Sequence, residues 1–180
     1  MTRSQRRDAP AVRDWRDAVR MTQQAMAGGR ETAAWRAVWI RRGGWHPGLL
    51  TAWSHLPDLE WAARVQFEPD GAHWIQYTGA SLTPVPPPAG TPAAPARLTE
   101  AEIADCPETA TWAPVWLGRN NAWQPALLTA WRRLPDRTWA GRLRWGPGDT
   151  ESGWVRCTPD AVLPILPPDG TPAALTSRRP

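Results

Sequence analysis

The sequence predicts a mainly β protein: two tandem copies of a small five-stranded unit, an α-helix in front and a short helix between the copies. Three observations carry this. The stretch WHPGLLTAWSHLPDLEW, Trp45 to Trp61, returns as WQPALLTAWRRLPDRTW, Trp123 to Trp139. Short segments alternate apolar and polar residues with a period of two. Gly, Asn, Pro and Asp punctuate those segments where turns are required.

Aligning Thr32–Ala94 with Thr109–Ala174 superposes six tryptophans: Trp35, Trp39, Trp45, Trp53, Trp61 and Trp74 on Trp112, Trp116, Trp123, Trp131, Trp139 and Trp154. LLTAW, LPD and GTPAA are identical in both copies. This is duplication, and two copies are too few for a solenoid, so each reads as a compact domain.

In each copy the elements follow in order. AVWIR (37–41) is the first strand, broken by Gly43-Gly44, as Asn120-Asn121 break its counterpart. A long second strand runs from Trp45 to Trp53, and LPD turns the chain. WAARVQF (61–67) then puts Trp61, Ala63, Val65 and Phe67 on one face and Ala62, Arg64 and Gln66 on the other. EPDGAH and GPGDTESG are hairpin loops. WIQY (74–77) and WVRC (154–157) are fourth strands. LTPV (82–85) and VLPI (162–165) are brief fifth strands that proline keeps at an edge.

Five short strands with a long second one predict a small SH3-like barrel in each copy. Such a domain is near the lower size limit for a self-sufficient core, and buried tryptophans supply the area it needs. The second strand is apolar on both sides: Trp45, Leu49 and Trp53 on one, Gly48, Leu50 and Ala52 on the other. One side therefore needs a cover, from the sister copy, the leading helix or a ligand.

The predicted organisation is a basic amphipathic helix segment (1–31), barrel 1 (32–85), a proline-rich linker with a short capped helix (86–108), barrel 2 (109–166) and a proline-rich basic tail (167–180). The helix is read from PAVRDWRDAVRMTQQAMAGG (10–29). Pro10 suits its first turn, Gly28-Gly29 its stop, and Val12, Trp15, Val19 and Met26 line one side. In the linker, Thr99 and Glu102 form a T-x-x-E capping box, with Leu98 and Ile103 as a hydrophobic staple.

All 21 basic residues are arginine, so a net charge of only +4 gives a sequence pI near 10.3. Lysine-free, Arg/Ala/Pro/Trp-rich usage matches a high-GC, actinobacterial genome. No apolar run reaches the roughly 18 residues of a membrane helix, and no apolar core follows the basic N-terminus. The sequence thus predicts a cytoplasmic protein without membrane contact. Cys106 and Cys157 lack the spacing of a disulfide framework or zinc knuckle.

No G-x-S-x-G, P-loop or H-E-x-x-H motif is present, so the sequence predicts no catalytic residues, no metal site and no cofactor. His46, His55 and His73 all lie in the first copy, and their spacing matches no ligand pattern. Asp58 and Asp136 sit in the repeated turns, where Asp is expected for backbone reasons.

AVWIRRGGWHPGLLTAW, WAARVQF and LTPV together resemble the Tudor/Agenet group of SH3-like barrels. The resemblance covers almost all of each repeat. In Tudor domains an aromatic cage holds a methylated Arg or Lys by cation–π attraction. Carried over, the cage positions are Trp39, His46 and Phe67 in the first copy, and Trp116, Gln124 and Trp145 in the second. The loops EPDGAH and GPGDTESG add no aromatic residue, so each cage is half built and resembles a shallower aromatic groove.

The expected function is a non-catalytic binding or scaffold protein that recognises a protein or peptide through such grooves. The alternative is a nucleic-acid-binding protein. Arg132, Arg133, Arg142, Arg144 and Arg156, with the N-terminal helix, would contact phosphates while tryptophans stack on bases.

Overall fold

A computed structural model describes residues 17–58, 60–68, 71–147 and 151–168 of the 180-residue chain. Strands β1 (Arg30–Arg41), β2 (Trp45–His55), β3 (Trp61–Glu68), β4 (Gly71–Gln76) and β5 (Leu82–Pro84) form one antiparallel sheet in the order β4-β3-β2-β1-β5. After one helical turn, α1 (Glu100–Ile103), come β6 (Glu108–Arg119), β7 (Ala122–Arg133), β8 (Trp139–Trp145), β9 (Glu151–Cys157) and β10 (Val162–Pro164). These repeat the arrangement in the order β10-β6-β7-β8-β9.

The sheets are not closed into barrels, which corrects the sequence expectation. β5 and β10 pair with β1 and β6 over only three residues each, and each ends on a proline, Pro84 and Pro164. Proline has no N–H to extend a ladder. The opposite edge is taken by another part of the chain. Arg20 bridges Ile75 at the β4 edge, and Arg97 bridges Val155 at the β9 edge. Backbone bonds from Met21 N to Trp74 O and from Gln76 N to Val19 O recur as Leu98 N to Trp154 O and Arg156 N to Ala96 O. The duplicated unit therefore begins upstream of the first strand, at the residue that covers its own sheet's edge.

This pairing also explains why residues 17–29 form no helix. Residues 10–16 lie outside the described residues. From Asp17 onward the backbone is extended through Arg20 and turns from Gln23 to Gly28. Ala18 is buried in the core of sheet 1 while Val19 is 41% exposed. That alternation belongs to a strand, and the open edge of β4 outweighed the helical spacing. The linker helix shrinks to the single turn α1. Its capping box forms: the Glu102 carboxylate accepts from Thr99 N and Oγ1 at 2.7 and 2.8 Å. Those bonds hold the Glu102 carboxyl below its usual range. Among the described residues no helix is as long as seven residues.

β2 and β7 are bulged at equivalent places. Register shifts between Leu50 and Ala52, and between Leu128 and Ala130 in β7. At each bulge a threonine hydroxyl donates to the carbonyl opposite, Thr51 Oγ1 to Arg64 O and Thr129 Oγ1 to Arg142 O, both at 3.1 Å. The buried side of β2 runs through the bulge: Gly48, Leu50, Ala52 and Ser54 are all buried, while Thr51, Trp53 and His55 are half-buried, and Leu49 is the one residue of the other side that is fully buried.

The core of sheet 1 centres on Val38, Ile40, Leu50, Val65, Ile75 and Leu82. Sheet 2 holds Val115, Leu117, Leu143, Trp145 and Val155 in one cluster, and Ile103, Leu134 and Trp154 in a second. The sheets meet through β1 on β7, β2 on β6 and β2 on β7, a pattern that exchange of the repeats maps onto itself. Ala37, Trp116 and Ile165 are the buried centre of this contact, with Val85, Trp123 and Leu163 beside them. Trp35 Nε1 donates to Pro125 O at 2.6 Å and Trp39 Nε1 to Leu166 O at 3.0 Å, both across the contact. The spacer also docks. Ala93 N donates to Asp160 O, and Gly118 lies so close to Pro92 and Ala93 that a Cβ would collide with both.

Candidate functional site: an aromatic groove between the sheets

The six residues placed by the Tudor resemblance do not assemble into one cage per repeat. Trp39 and Trp116 serve the contact between the sheets. His46 is exposed, with Nε2 3.2 Å from Arg42 O, and Gln124 is half-buried. Phe67 and Trp145 are buried, and the cation near each is the protein's own. The Arg20 and Arg42 guanidinium carbons lie 5.6 and 4.9 Å from the Phe67 ring centre. Arg97 and Arg119 lie 5.6 and 5.1 Å from that of Trp145. The pattern is repeated in both copies, so internal cation–π contacts occupy the position a methylated side chain would take. Trp145 Nε1 also donates to Glu151 Oε2 at 2.9 Å, which with Arg119 holds the Glu151 carboxyl below its usual range.

The arginines singled out in repeat 2 divide. Arg132 donates to Ile103 O and Glu108 Oε2, both at 2.7 Å, and stands over the Trp154 ring. Arg156 pairs with Asp136 and Thr138. These two are structural ties. Arg133 lies 5.6 Å from the Trp139 ring centre, Arg142 is exposed and Arg144 is half-buried. His46, His55 and His73 are not gathered: among the described residues no three His, Cys, Asp or Glu side chains are placed to hold a metal ion.

A groove of about 310 Å³ lies between the two sheets. Repeat 1 contributes Trp35, Ala37, Leu50, Trp53, Tyr77, Pro84, Val85 and Pro87 to its lining. Repeat 2 contributes Trp116, Trp123 and Pro125. Trp53 meets Tyr77 edge to face at 5.0 Å. The aromatic surface continues outward: Trp61 stands edge-on to Trp53 at 6.3 Å, and His55 lies 4.8 Å from Trp61. Trp61 is 47% and Tyr77 39% exposed.

Arg36 is the one charged residue in the lining, and the Tyr77 phenol the other ionisable group. Trp123 Nε1 is buried and has no hydrogen-bond partner among the described residues. Chemically the groove offers ring faces and proline rings. It suits apolar side chains. Sequence reasoning did not single out Trp35, Trp53, Tyr77 or Trp123 as lining one site. Its signals were the two-sided apolar second strand and Tyr77, the chain's one tyrosine, which has Cys157 as its counterpart.

No protein-family model, curated protein or solved structure matches the chain. Among the described residues no helix is long and apolar enough to cross a membrane.

Proposed function

We propose that the protein is a non-catalytic binding protein that takes a segment of a protein or peptide into the groove between its two sheets. The supporting observation is the continuity of aromatic surface from buried Trp116 through Trp53 and Tyr77 to exposed Trp61. Concave sites lined by rings with a few polar donors are where ligands bind, and Trp and Tyr give large contact area at low entropic cost.

The test is peptide-display selection on the immobilised full chain, run in parallel on Tyr77→Ala. Tyr77 is exposed at the groove mouth, so its loss spares the core. The proposal expects enriched peptides whose binding falls at least about tenfold on the variant. No enrichment, or enriched peptides indifferent to Tyr77→Ala, would refute it.

A further inference from the structure

We infer that the segment taken into the groove is acidic: an Asp or Glu side chain, set beside an apolar one, pairs with the Arg36 guanidinium. This rests on the binding role proposed above. Arg36 is exposed in the lining and makes no hydrogen bond, ion pair or ring contact among the described residues. Glu31, the one acid on β1, faces Arg64 instead, at 3.8 Å. The groove is thus left with a single uncompensated positive charge among its rings.

The ionisable part of the lining belongs to repeat 1 alone. Arg36 stands opposite Leu50 as Ala113 stands opposite Leu128, and Tyr77 has Cys157 as its counterpart. The rings of Trp35 and Trp53 recur as Trp112 and Trp131. Apolar surface is therefore common to both copies, and the cation and the phenol are present where the groove lies. The Tyr77 hydroxyl has no hydrogen-bond partner among the described residues, so it can donate to the same guest.

One guanidinium balances one negative charge, and its planar fork fits a carboxylate through two parallel bonds. A phosphorylated guest carries more charge than the lining offsets, and a nucleic-acid strand needs a row of cations. A basic guest is repelled. The aromatic surface runs on beyond the groove to Trp61 and His55. The guest chain therefore continues past Arg36, and the carboxylate is a side chain's rather than a chain end's.

The probe is a library of random heptapeptides displayed with both ends fused, so that no chain end is offered, and selected on the immobilised full chain. Enriched sequences should place Asp or Glu next to Leu, Ile, Phe or Trp. The best of them is synthesised with capped ends and titrated by calorimetry. Replacing its acid by the amide, or Arg36→Gln in the protein, should each weaken binding at least about tenfold. Together they should cost no more than either alone, because they remove the same pair. Arg36→Gln removes no contact of the folded chain, so its unfolding transition should stay in place. Arg142→Gln removes an equal charge at an exposed site outside the groove and should leave the affinity unchanged. Acid-free enriched peptides, additive losses, an equal loss with Arg142→Gln, or enrichment confined to a second library with free C-termini would overturn the inference. Tyr77→Ala separates the two failures. Where binding still depends on Tyr77, only the acidic inference falls; where no ligand depends on it, the binding role falls as well.

Discussion

Trp35 and Trp112 occupy equivalent positions in the two repeats, yet their indole nitrogens have opposite fates. Trp35 Nε1 donates to Pro125 O at 2.6 Å. Trp112 is half-buried against the core of sheet 1, and its Nε1 is buried without a partner among the described residues. Replacing each by phenylalanine removes the same atoms and tests the difference. The lost apolar area costs about 0.5–1 kcal/mol at either site, at about 25 cal/mol per Å². At Trp35 a partly buried hydrogen bond also goes and the Pro125 carbonyl loses its donor, a further cost of about 1–2 kcal/mol. At Trp112 the substitution removes a donor that pays a desolvation cost of similar size, so the two changes nearly cancel. Trp35→Phe should therefore destabilise by about 2 kcal/mol and Trp112→Phe by close to zero. For a chain of this size that gap separates the melting temperatures by about 4–8 °C. Urea and thermal unfolding followed by circular dichroism measure it, with coincident transitions as the check on two-state behaviour. If Trp112→Phe costs as much as Trp35→Phe, the inter-sheet hydrogen bond has been misjudged.

Three further outcomes follow from the local geometry. Hydrogen bonds from Thr138, then Arg156, hold the Asp136 carboxyl at about 2 against an ordinary 3.8. A depressed carboxyl pKa stabilises above the unfolded value and loses its effect as pH falls through the folded one. Asp136→Asn should thus lower the melting temperature at pH 7, with the difference shrinking as pH falls toward 2 and vanishing below it, and carboxyl NMR titration should return the low value directly. Gly118→Ala should cost about 1–3 kcal/mol by pushing the spacer off β6, seen as faster hydrogen exchange at Ala93 N, which donates to Asp160 O. Thr51→Val and Thr129→Val should each cost about 1 kcal/mol by removing the hydroxyl that closes a bulge, and their effects should add because they lie in different sheets.

What the sequence made legible was local. The duplication, the order of the strands and the Asp turns follow from residue identity, period-two alternation and turn chemistry. In both turns an Asp carboxylate accepts a backbone N–H two residues on, Glu60 N for Asp58 and Thr138 N for Asp136. What stayed hidden depended on partners distant in sequence. Residues 18–21 carry helical spacing, but the unpaired edge of β4 draws them into an extended bridge. Closure of each sheet depended on what its edges met, and the chain's own upstream segment met them first. Phe67 and Trp145 lie on strands as expected, yet Arg20 and Arg97 reach those rings only because the bridging segments carry them there. The groove was least legible of all, because it lies between two sheets whose relative placement no local pattern encodes.

The two copies place the segment after their fifth strand differently. The segment after the fifth strand occurs in both copies, as Val85-Pro86-Pro87 and as Ile165-Leu166-Pro167. In repeat 2 it seats: Ile165 and Pro167 are buried and Leu166 accepts from Trp39. In repeat 1 it stands off: Val85 is half-buried, Pro86 and Pro87 are exposed, and the space beside Val85 and Pro87 is the groove. Exchanging isoleucine for valine removes a methylene from the anchor, about 0.8 kcal/mol of burial. At the mouth, Tyr77 replaces Cys157, whose thiol burial pushes up to about 11. A small half-buried thiol in one copy corresponds to an exposed ring in the other. The equivalent segments thus differ in placement: in repeat 2 the segment packs on the chain itself, and in repeat 1 it borders the groove.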